Sequence, residues 1–533
     1  MIATEFLFLI ILFVVRSNSD CIVNFGSAVC TGFSFDSFTN VRKNISSVRV
    51  KNPSNAVFVV DKSKNEYVHR ISYLHIWNTG ILISDYGFKD FVSLRSLTVD
   101  NCSIESLKSS WFLVNNDITV FRCRHNKLRT LFKSDFENLK KVMIADFSHN
   151  LLESIDLHAF SEMNELERLL LSGNKLKSIP TGHLPRPRII QLDYNLIDVV
   201  PANAFTELPN VKVITLDHNL IQKIEDGAFK GLNLAQLSLT YNFIEEITEF
   251  TFSGFSATNL FFFDLSSNKI RRIAPGAFKG MVALRFISLS NNSINELKED
   301  MFEGLDTERL LLEHNEIEII GNNTFRGFKS LSHLLLRDNK LKSFTTEMFG
   351  TNLSRLLTFS ISNNSIQQLD SELFIFTPNL RVFNNLIEEL TEGHIESLKS
   401  VKFLWIEHNK LTFIPLNRDS FPNLKVMNIG GNPWQCACLD VVQDFLNEKN
   451  ITFIKNYYFD GQCPVCVPTY YQHCEKNTDF ARFTRIPETY KDSYTEQCWI
   501  KYLSDHVKNR SKDLWEYAIE ELYARSPGFY SLY

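Results

Sequence analysis

The stretch LERLLLSGNKL, residues 166–176, determines the fold, because its spacing of apolar residues around one asparagine recurs along most of the chain. Counting Leu166 as position 1 places Leu169 at position 4, Leu171 at position 6, Asn174 at position 9 and Leu176 at position 11. Sixteen units share this pattern, in steps of mostly 23 to 25 residues. Self-similarity at this period is typical of units that each supply one short parallel strand and bury their apolar side only by stacking. The sequence therefore predicts an α/β solenoid.

The residues that occupy position 9 are Thr79, Cys102, Asn126, Asn150, Asn174, Asn195, Asn219, Asn242, Asn268, Asn292, Asn315, Asn339, Asn364, Asn385, Asn409 and Asn432. The leucines of each unit should point inward, and the asparagine amides should satisfy backbone groups of neighbouring units as a buried ladder. Most units also place a phenylalanine in their outer segment, and these rings should stack as a spine on the convex side. The clearest members are Phe160, Phe205, Phe229, Phe278, Phe302 and Phe325.

On these repeats, residues 71 to about 498 resemble the extracellular leucine-rich repeat proteins of the 24-residue class. That family includes Toll-type receptor ectodomains, Slit-like proteins and secreted leucine-rich immune proteins. The resemblance implies a leucine-rich repeat horseshoe with a parallel concave β-sheet, a mostly irregular convex side and disulfide-stapled caps. It implies binding of another molecule and no cofactor.

The start of the chain indicates an extracellular destination. Ten apolar residues, 6–15, precede Arg16 and the small residues Ser17 and Ser19, which predicts a signal peptide over residues 1–19. No later stretch reaches the roughly 18 to 20 apolar residues that a membrane span needs. Basic and acidic residues nearly balance, 56 against 61, so bulk charge does not favour nucleic acid. We therefore expect a secreted, soluble protein.

Eight of the ten cysteines flank the repeats and are predicted to form disulfides that staple the two caps. They are Cys21 and Cys30 before the repeats, and Cys436, Cys438, Cys463, Cys466, Cys474 and Cys498 after them. The motif NPWQCAC, residues 432–438, resembles the opening of the family's C-terminal cap. By that resemblance Cys436 pairs with Cys463, and Cys438 pairs with Cys466, Cys474 or Cys498. Because the family pattern has four cap cysteines and this chain has six, we expect an extra bridge within the Cys466 to Cys474 loop. An unpaired cap cysteine would allow a covalent dimer, and the sequence leaves the oligomeric state open.

Two further cysteines lie inside the repeats. Cys102 occupies position 9 and Cys123 occupies the inward position 6 of the next unit, so the two side chains should be close neighbours. Either they are buried free thiols that behave as small apolar residues, or they form a disulfide between the two units. The sequence does not decide between these alternatives.

The predicted organisation has five parts. A signal peptide, 1–19, is followed by an N-terminal cap, 20–70, with two or three short strands that include the run 55–61. The repeats span 71–434, and a cysteine-rich cap, 435–498, contains a helix over LDVVQDFLNEK. A short tail, 499–533, has one amphipathic helix with Trp515, Ala518, Ile519 and Leu522 on one face.

Two units are short, each with a step of 21 residues. Three prolines, Pro180, Pro185 and Pro187, fall in the outer segment of the first, so that segment should be extended and lack the spine phenylalanine. The second lies between Asn364 and Asn385. The residues missing from this short unit are assigned to its strand, which predicts a kink or a local break in strand pairing.

Exposed aromatic and arginine side chains on the concave face are the candidate partner-binding residues, since interface hot spots favour Trp, Tyr and Arg. They cluster at the two ends of the repeats, and the alternative is that the caps fold over both clusters. The candidates are Tyr73, His75, Trp77, Arg122 and Arg124 at one end and Phe403 and Trp405 at the other. Asp146, Asp193, Asp217 and Asp264 suggest an acidic stripe between them, or an ordinary solvated face.

Histidine recurs at position 8, directly before the ladder asparagine, at His125, His149, His218, His314 and His408. The histidines are separated along the solenoid without shared ligand geometry, which favours a structural preference over a metal or pH-sensing site. Seven Asn-x-Ser/Thr sequons are predicted to carry glycans: Asn44, Asn291, Asn322, Asn352, Asn363, Asn450 and Asn509. An eighth sequon, Asn101, has a cysteine after its asparagine.

The leading functional hypothesis is a secreted, non-enzymatic recognition protein that binds an extracellular protein, a glycan or a microbial ligand through its solenoid surface. Innate immunity is the sharpest form of this hypothesis. The runner-up is an extracellular matrix, cell-adhesion or signalling component. An enzyme is disfavoured, because the sequence offers no nucleophile, base and acid set, no phosphate-binding glycine loop and no zinc-ligand spacing.

Overall fold

The computed structural model describes residues 20–24, 27–31, 45–51, 57–60, 66–112, 117–180, 184, 187–255, 257–350, 355–374, 379–381, 384–454 and 473–474. The chain divides into two compact units. The first consists of Met1–His333 with Met348–Thr351, and the second of Leu334–Glu347 with Asn352–Tyr533. The signal peptide and the tail of 499–533 lie outside the described residues.

In the first unit the sheet begins before the first repeat. The strand Asp20–Asn24 pairs antiparallel with Ser27–Thr31, which places Cys21 opposite Cys30. Ser27–Thr31 then pairs parallel with Ser47–Lys51, and that strand pairs parallel with Tyr73–Trp77 of the first repeat. A fourth strand, Val57–Val60, pairs with Gly80–Ile83 in a separate two-stranded sheet. The described residues of the N-terminal region thus form four strands, where two or three were expected.

The repeats of the first compact unit continue this sheet, because each repeat adds one parallel strand in the same register. Leu169 at position 4, for example, lies beside Ile190, which lies beside Ile214. The repeat strands of this unit are Tyr73–Trp77, Ser96–Asp100, Val120–Arg122, Ile144–Asp146, Arg168–Leu170, Ile189–Gln191, Val213–Thr215, Gln236–Ser238, Phe262–Asp264, Phe286–Ser288 and Arg309–Leu311. The strand His333–Leu335 contains the division between the two units.

The asparagine ladder is confirmed. Asn219 shows its geometry: the side-chain Nδ2 donates to Leu192 O at 2.9 Å and to Leu216 O at 3.0 Å, while Oδ1 accepts from Ile197 N at 3.1 Å. The same bonds recur at the other ladder asparagines, such as Asn174 and Asn242. Each amide therefore links its own repeat to the preceding repeat.

The phenylalanine spine is also confirmed. Phe229 is fully buried, with its ring centroid 5.7 Å from that of Phe205 and 6.0 Å from that of Phe252. Phe278, Phe302 and Phe325 continue the row at centroid distances of 6.4 to 6.5 Å. Two-residue parallel strands run beside the spine: Thr130–Leu131 with Ser154–Ile155, Val199–Val200 with Lys223–Ile224, Glu246–Ile247 with Arg272–Ile273, and Glu296–Leu297 with Ile319–Ile320.

The second unit is also a stack of parallel strands. Its strands are Thr358–Ser360, Asn379–Arg381, Phe403–Trp405, Val426–Asn428 and Thr452–Ile454, each paired with the next. An outer pair joins Ser343–Phe344 to Gln368–Leu369. Among the described residues of this unit, the α-helices are Glu392–Ser397 and Cys436–Glu448. Taken together, the two stacks contain about 16 turns, so the predicted leucine-rich repeat fold is confirmed.

The predicted break in strand pairing between Asn364 and Asn385 is wrong. The strand Asn379–Arg381 is paired on both sides, and Asn385 keeps its ladder bonds to Ile361 O and from Ile366 N, at 3.0 and 3.1 Å. The strand starts six residues before Asn385, just as the full-length strand Arg168–Leu170 starts six residues before Asn174. The missing residues therefore come from the outer segment, because the strand and ladder must keep their length to stay paired.

The first short unit behaves in the same way. Ile189–Gln191 pairs with strands on both sides, and its outer segment, 175–188, contains no phenylalanine. Residues 181–183 and 185–186 of that segment lie outside the described residues, so its extended conformation stays a prediction.

The helix Cys436–Glu448 contains most of the predicted stretch LDVVQDFLNEK. Cys438 on this helix forms a disulfide with Cys474, one of the three partners that the sequence left open. The expected bridge within the Cys466 to Cys474 loop is therefore wrong, because Cys474 is already bonded. Cys30 and Cys436 are also disulfide-bonded, whereas Cys463, Cys466 and Cys498 lie outside the described residues.

Cys102 and Cys123 are buried free thiols, which decides between the two alternatives. The Cys102 thiol donates to Asp100 O at 3.2 Å and lies 3.6 Å from Ile76 O, so it contacts the same carbonyls that a ladder amide would. Burial raises the pKa of Cys102 to about 11 and raises that of Cys123 well above its usual range. Neither thiol is poised for reaction.

Across the described part of the chain, the helices are too short or too polar to cross a membrane.

Candidate protein-binding surfaces

The structure brings the first group of candidate residues together through two buried carboxylates. Tyr73, His75 and Trp77 lie on one strand, and the rings of His75 and Trp77 stand 4.9 Å apart at 31°. Tyr73 is 55% exposed, so the cap does not cover it. We name Tyr73, His75, Trp77, Arg122 and Arg124 the concave end cluster.

Asp100 connects this cluster across adjacent strands. His75 Nε2 lies 3.4 Å from Asp100 Oδ2, and Arg124 donates to the same carboxylate through Nη2 at 2.6 Å and Nε at 3.2 Å. Burial alone would raise the pKa of Asp100, but the nearby His75 imidazole and the hydrogen bonds from Arg124 outweigh it and lower the pKa to about 2. The carboxylate thus stays charged and fixes the Arg124 guanidinium.

Asp146 continues the network one strand further. Its Oδ2 lies 3.9 Å from Arg124 Nε and 4.0 Å from Arg122 Nε. Two arginines and an imidazole therefore lie within 4.0 Å of buried carboxylates on one patch of sheet, and the Trp77 ring packs against that imidazole. Such pre-positioned Arg and Trp side chains lose little entropy when a partner binds.

The other predicted cluster lies in the second unit. Phe403 and Trp405 share a strand, with ring centroids 5.9 Å apart and planes inclined at 20°. Both side chains are half-buried.

The predicted acidic stripe is a row of carboxyl groups that accept hydrogen bonds from the sheet itself. Asp193 accepts from Thr215 Oγ1 at 2.7 Å and from Asp217 N at 2.9 Å, and Asp217 accepts from Ser238 Oγ and Thr240 N at 2.7 Å. Burial raises the pKa of Asp193 and of Asp264 to about 6, and that of Asp217 in the same direction. Asp146 is only 4% exposed. These carboxyl groups are therefore bonded into the sheet and do not form a freely solvated stripe.

The histidines at position 8 have a backbone explanation. His125, His149, His218, His314 and His408 all have φ between 53° and 56°, and Gly173 at the same position has φ of 72°. Non-glycine residues reach this left-handed region seldom, and histidine, asparagine and aspartate do so more readily than most. Position 8 therefore favours residues that tolerate a left-handed backbone, and this accounts for the recurring His-Asn pair.

Position 8 also carries a surface that the sequence analysis missed. Tyr194, His218 and Tyr241 stack in successive repeats, with centroid distances of 4.2 Å and planes within 9°. Leu196, Leu220 and Phe243 lie two residues further along each repeat, at position 10, and are exposed. We name these six residues the aromatic ridge. Comparing positions 8 and 10 between repeats could have found it, because other repeats place Gly and Lys there, as at Gly173 and Lys175.

A second missed cluster lies on the strands of the concave face. Phe262 and Phe286 stack at 4.7 Å with planes 7° apart, and Phe261 beside them is 37% exposed. Phe262 and Phe286 occupy position 3 of their repeats. The candidates that the sequence suggested at this position came only from the end repeats.

The sequons at position 8 share the left-handed conformation. Asn101 and Asn291 are exposed, and Asn363 is half-buried with a short hydrogen bond from its amide to Asp338 Oδ1. Asn322 and Asn450 are exposed as well. Asn44, Asn352 and Asn509 lie outside the described residues, and glycosylation of all these sites stays a prediction.

The parallel strands, the asparagine ladder and the phenylalanine spine are the features of a leucine-rich repeat fold. A family profile described as leucine rich repeat matches residues 124–176, 185–244, 233–294 and 287–341. The chain is 28% identical to osteomodulin of Bos taurus over 45% of its own length and 57% of the relative's. It is 30% identical to Toll-like receptor 3 of Boselaphus tragocamelus over 35% of its own length and 21% of the receptor's. Each match spans less than two thirds of the relative.

Solved structures agree on the fold. The structure of the Toll–Spatzle complex from Drosophila contains a chain with a TM-score of 0.59 and 16% identity, covering 82% of this chain and 72% of that one. At this identity the likeness concerns the fold alone.

Proposed function

We propose that this chain is a secreted, non-enzymatic recognition protein that binds an extracellular protein through its concave end cluster. The observation that carries the proposal is the network in which Asp100 and Asp146 hold His75, Arg122 and Arg124 beside Trp77. Aromatic and arginine side chains dominate the binding energy of protein interfaces, and this patch presents both in fixed positions.

Two biological settings are compatible with this surface, recognition in innate defence and assembly of extracellular matrix. The relation to osteomodulin supports the second, because the relatives include extracellular matrix proteins. The two settings differ in the partner they require. A defence protein should bind microbial particles or an infection-related host protein, whereas a matrix component should bind abundant structural protein in unchallenged tissue.

The test is affinity capture with the full chain against three defined preparations: native extracellular fluid, matrix extract and microbial particles. The captured partner is then titrated against the wild type and against Trp77→Ala. We expect Trp77→Ala to weaken binding by about 2 kcal/mol, or roughly 30-fold. Leu157→Ala serves as the control, since Leu157 is 58% exposed and lies on an outer segment. Capture by matrix alone would exclude the defence role.

Trp405→Ala tests the second cluster in the same titration. Unchanged affinity in both tryptophan variants would contradict binding by either predicted cluster, provided that thermal melts show that both variants are folded.

A further inference from the structure

The aromatic ridge is a row of apolar side chains that the fold does not require. Tyr194 is 57% exposed, Leu220 42% and Tyr241 55%. Position 8 needs only a left-handed residue, and Ser267 supplies one in the next repeat with φ of 56°. Position 10 is filled by Ser293 and by Lys175 elsewhere. Contiguous exposed apolar side chains that do not serve the fold mark an interaction surface.

The ridge is also ordered. His218 lies between Tyr194 and Tyr241 with both ring contacts at 4.2 Å, and the backbone N–H of His218 donates to Thr240 O at 2.9 Å. At one end, Lys269 Nζ stands 4.5 Å above the Phe243 ring. Rings fixed in this way give a partner a firm surface at low entropic cost.

Acidic residues outnumber basic ones on both flanks of the ridge. On the sheet side, position 7 holds Asp193, Asp217 and Thr240, and the two carboxylates also accept hydrogen bonds from the sheet. On the outer side, position 12 holds Gln222 and the exposed Asp198 and Glu245, and one position further out Lys223 and Glu246 offset each other. An apolar strip between two acidic margins is complementary to an apolar segment with basic residues on its sides.

Resting on the proposed role in protein recognition, we propose that the aromatic ridge binds a partner protein through an apolar segment flanked by lysine or arginine. A second copy of this chain fits less well, because a symmetric contact through the ridge would set the acidic margins against each other.

The sequons agree with this assignment. Asn101 and Asn291 occupy position 8 in the same row as the ridge, and the sequence contains no sequon between them. Any glycans at these two sites would stand beyond the two ends of the ridge and leave it accessible.

The ridge variant for the test is Leu220→Ser combined with Tyr241→Ser. Both changes copy residues that the chain uses at the same positions, Ser293 and Ser267, so the fold should be kept. The matched control is Leu157→Ser with Phe250→Ser, which removes one exposed aliphatic and one exposed aromatic side chain from outer segments. Melting curves of both double variants should match that of the wild type.

The probe is a library of random twelve-residue peptides displayed on phage, selected on the full-length wild type. We expect the enriched peptides to combine aromatic or aliphatic residues with Lys or Arg. The strongest peptide, synthesised with a fluorophore, should lose at least 20-fold in affinity for the ridge variant and less than 2-fold for the control. Raising the salt concentration should weaken its binding, because the margins attract it by charge.

Three outcomes would overturn the inference: no enrichment over a blank surface, enriched peptides that are acidic, or equal affinity for the wild type and the ridge variant. A peptide whose binding is lost in Trp77→Ala and kept in the ridge variant would overturn the ridge and support the concave end cluster. A wild type that sediments as a dimer and becomes monomeric in the ridge variant would assign the ridge to a second copy instead.

Discussion

At the scale of single residues, the ladder asparagines are the most demanding positions. Replacement of Asn219 by alanine would leave the buried Ile197 N–H without its acceptor. Leu192 O and Leu216 O would lose one donor each but keep the amides of Asn195 and Asn242. An unsatisfied buried group costs about 1 to 3 kcal/mol, so we expect a loss of about 2 kcal/mol in the free energy of unfolding, measured by urea denaturation. Asn210→Ala, at an exposed position, is the control. Equal stability of the two variants would contradict the ladder's role.

Asp264 makes a second prediction at this scale, on pH. Burial raises the pKa of this carboxyl to about 6, whereas in the unfolded chain it titrates near 3.9. The folded state therefore binds the proton more tightly, and the charged carboxylate costs stability above pH 6, a cost that disappears as the pH falls towards 4. Asp264→Asn should thus stabilise the fold at pH 7.5 by on the order of 1 kcal/mol.

Thermal melts of the wild type and Asp264→Asn between pH 4 and 8 check the sign. The difference in Tm should be positive at pH 7.5 and should shrink steadily below pH 6. Asp198→Asn, at an exposed position, should show no such trend. A gain that is constant with pH, or one that grows in acid, would contradict the assignment.

At the scale of structural elements, the convex spine should carry much of the packing energy. Phe229 is fully buried between Phe205 and Phe252, so Phe229→Ala should cost about 4 kcal/mol through lost burial and a residual cavity. Phe250 lies in the neighbouring outer segment and is 54% exposed, so Phe250→Ala should change stability by less than about 0.5 kcal/mol. Urea titrations of both variants check this, and similar losses in both would argue against a stacked spine.

The sequence could predict the elements that repeat, because sixteen copies of one spacing leave little freedom for the strands, the ladder or the spine. It erred between Asn364 and Asn385, where a shortened unit was assigned a defective strand. Backbone pairing on both sides of Asn379–Arg381 keeps the strand at full length, so the loss falls in the outer segment. The aromatic ridge was also missed: its residue types at positions 8 and 10 stand out in the sequence, but the stacking of Tyr194, His218 and Tyr241 is visible only in the structure.

At the scale of the whole molecule, contacts in a repeat stack join mainly neighbouring units, so damage at one end should stay local. The disulfide between Cys438 and Cys474 anchors the helix Cys436–Glu448 at the end of the second unit. Removing it with Cys438→Ala and Cys474→Ala together should destabilise this end by about 2 to 4 kcal/mol. Hydrogen exchange measured by mass spectrometry should then show faster exchange in the helix and in the strand Thr452–Ile454.

The internal control lies in the first unit of the same molecule. The strands Arg168–Leu170 and Val213–Thr215 are paired on both sides and tied by ladder amides, so their exchange should not change when the distant disulfide is removed. A second variant, Cys102→Ser, removes a thiol from inside the repeats. It should instead speed hydrogen exchange in the neighbouring strands Tyr73–Trp77 and Ser96–Asp100. Equal acceleration along the whole chain in the disulfide variant would mean that the repeats unfold as one cooperative block, which would contradict local propagation.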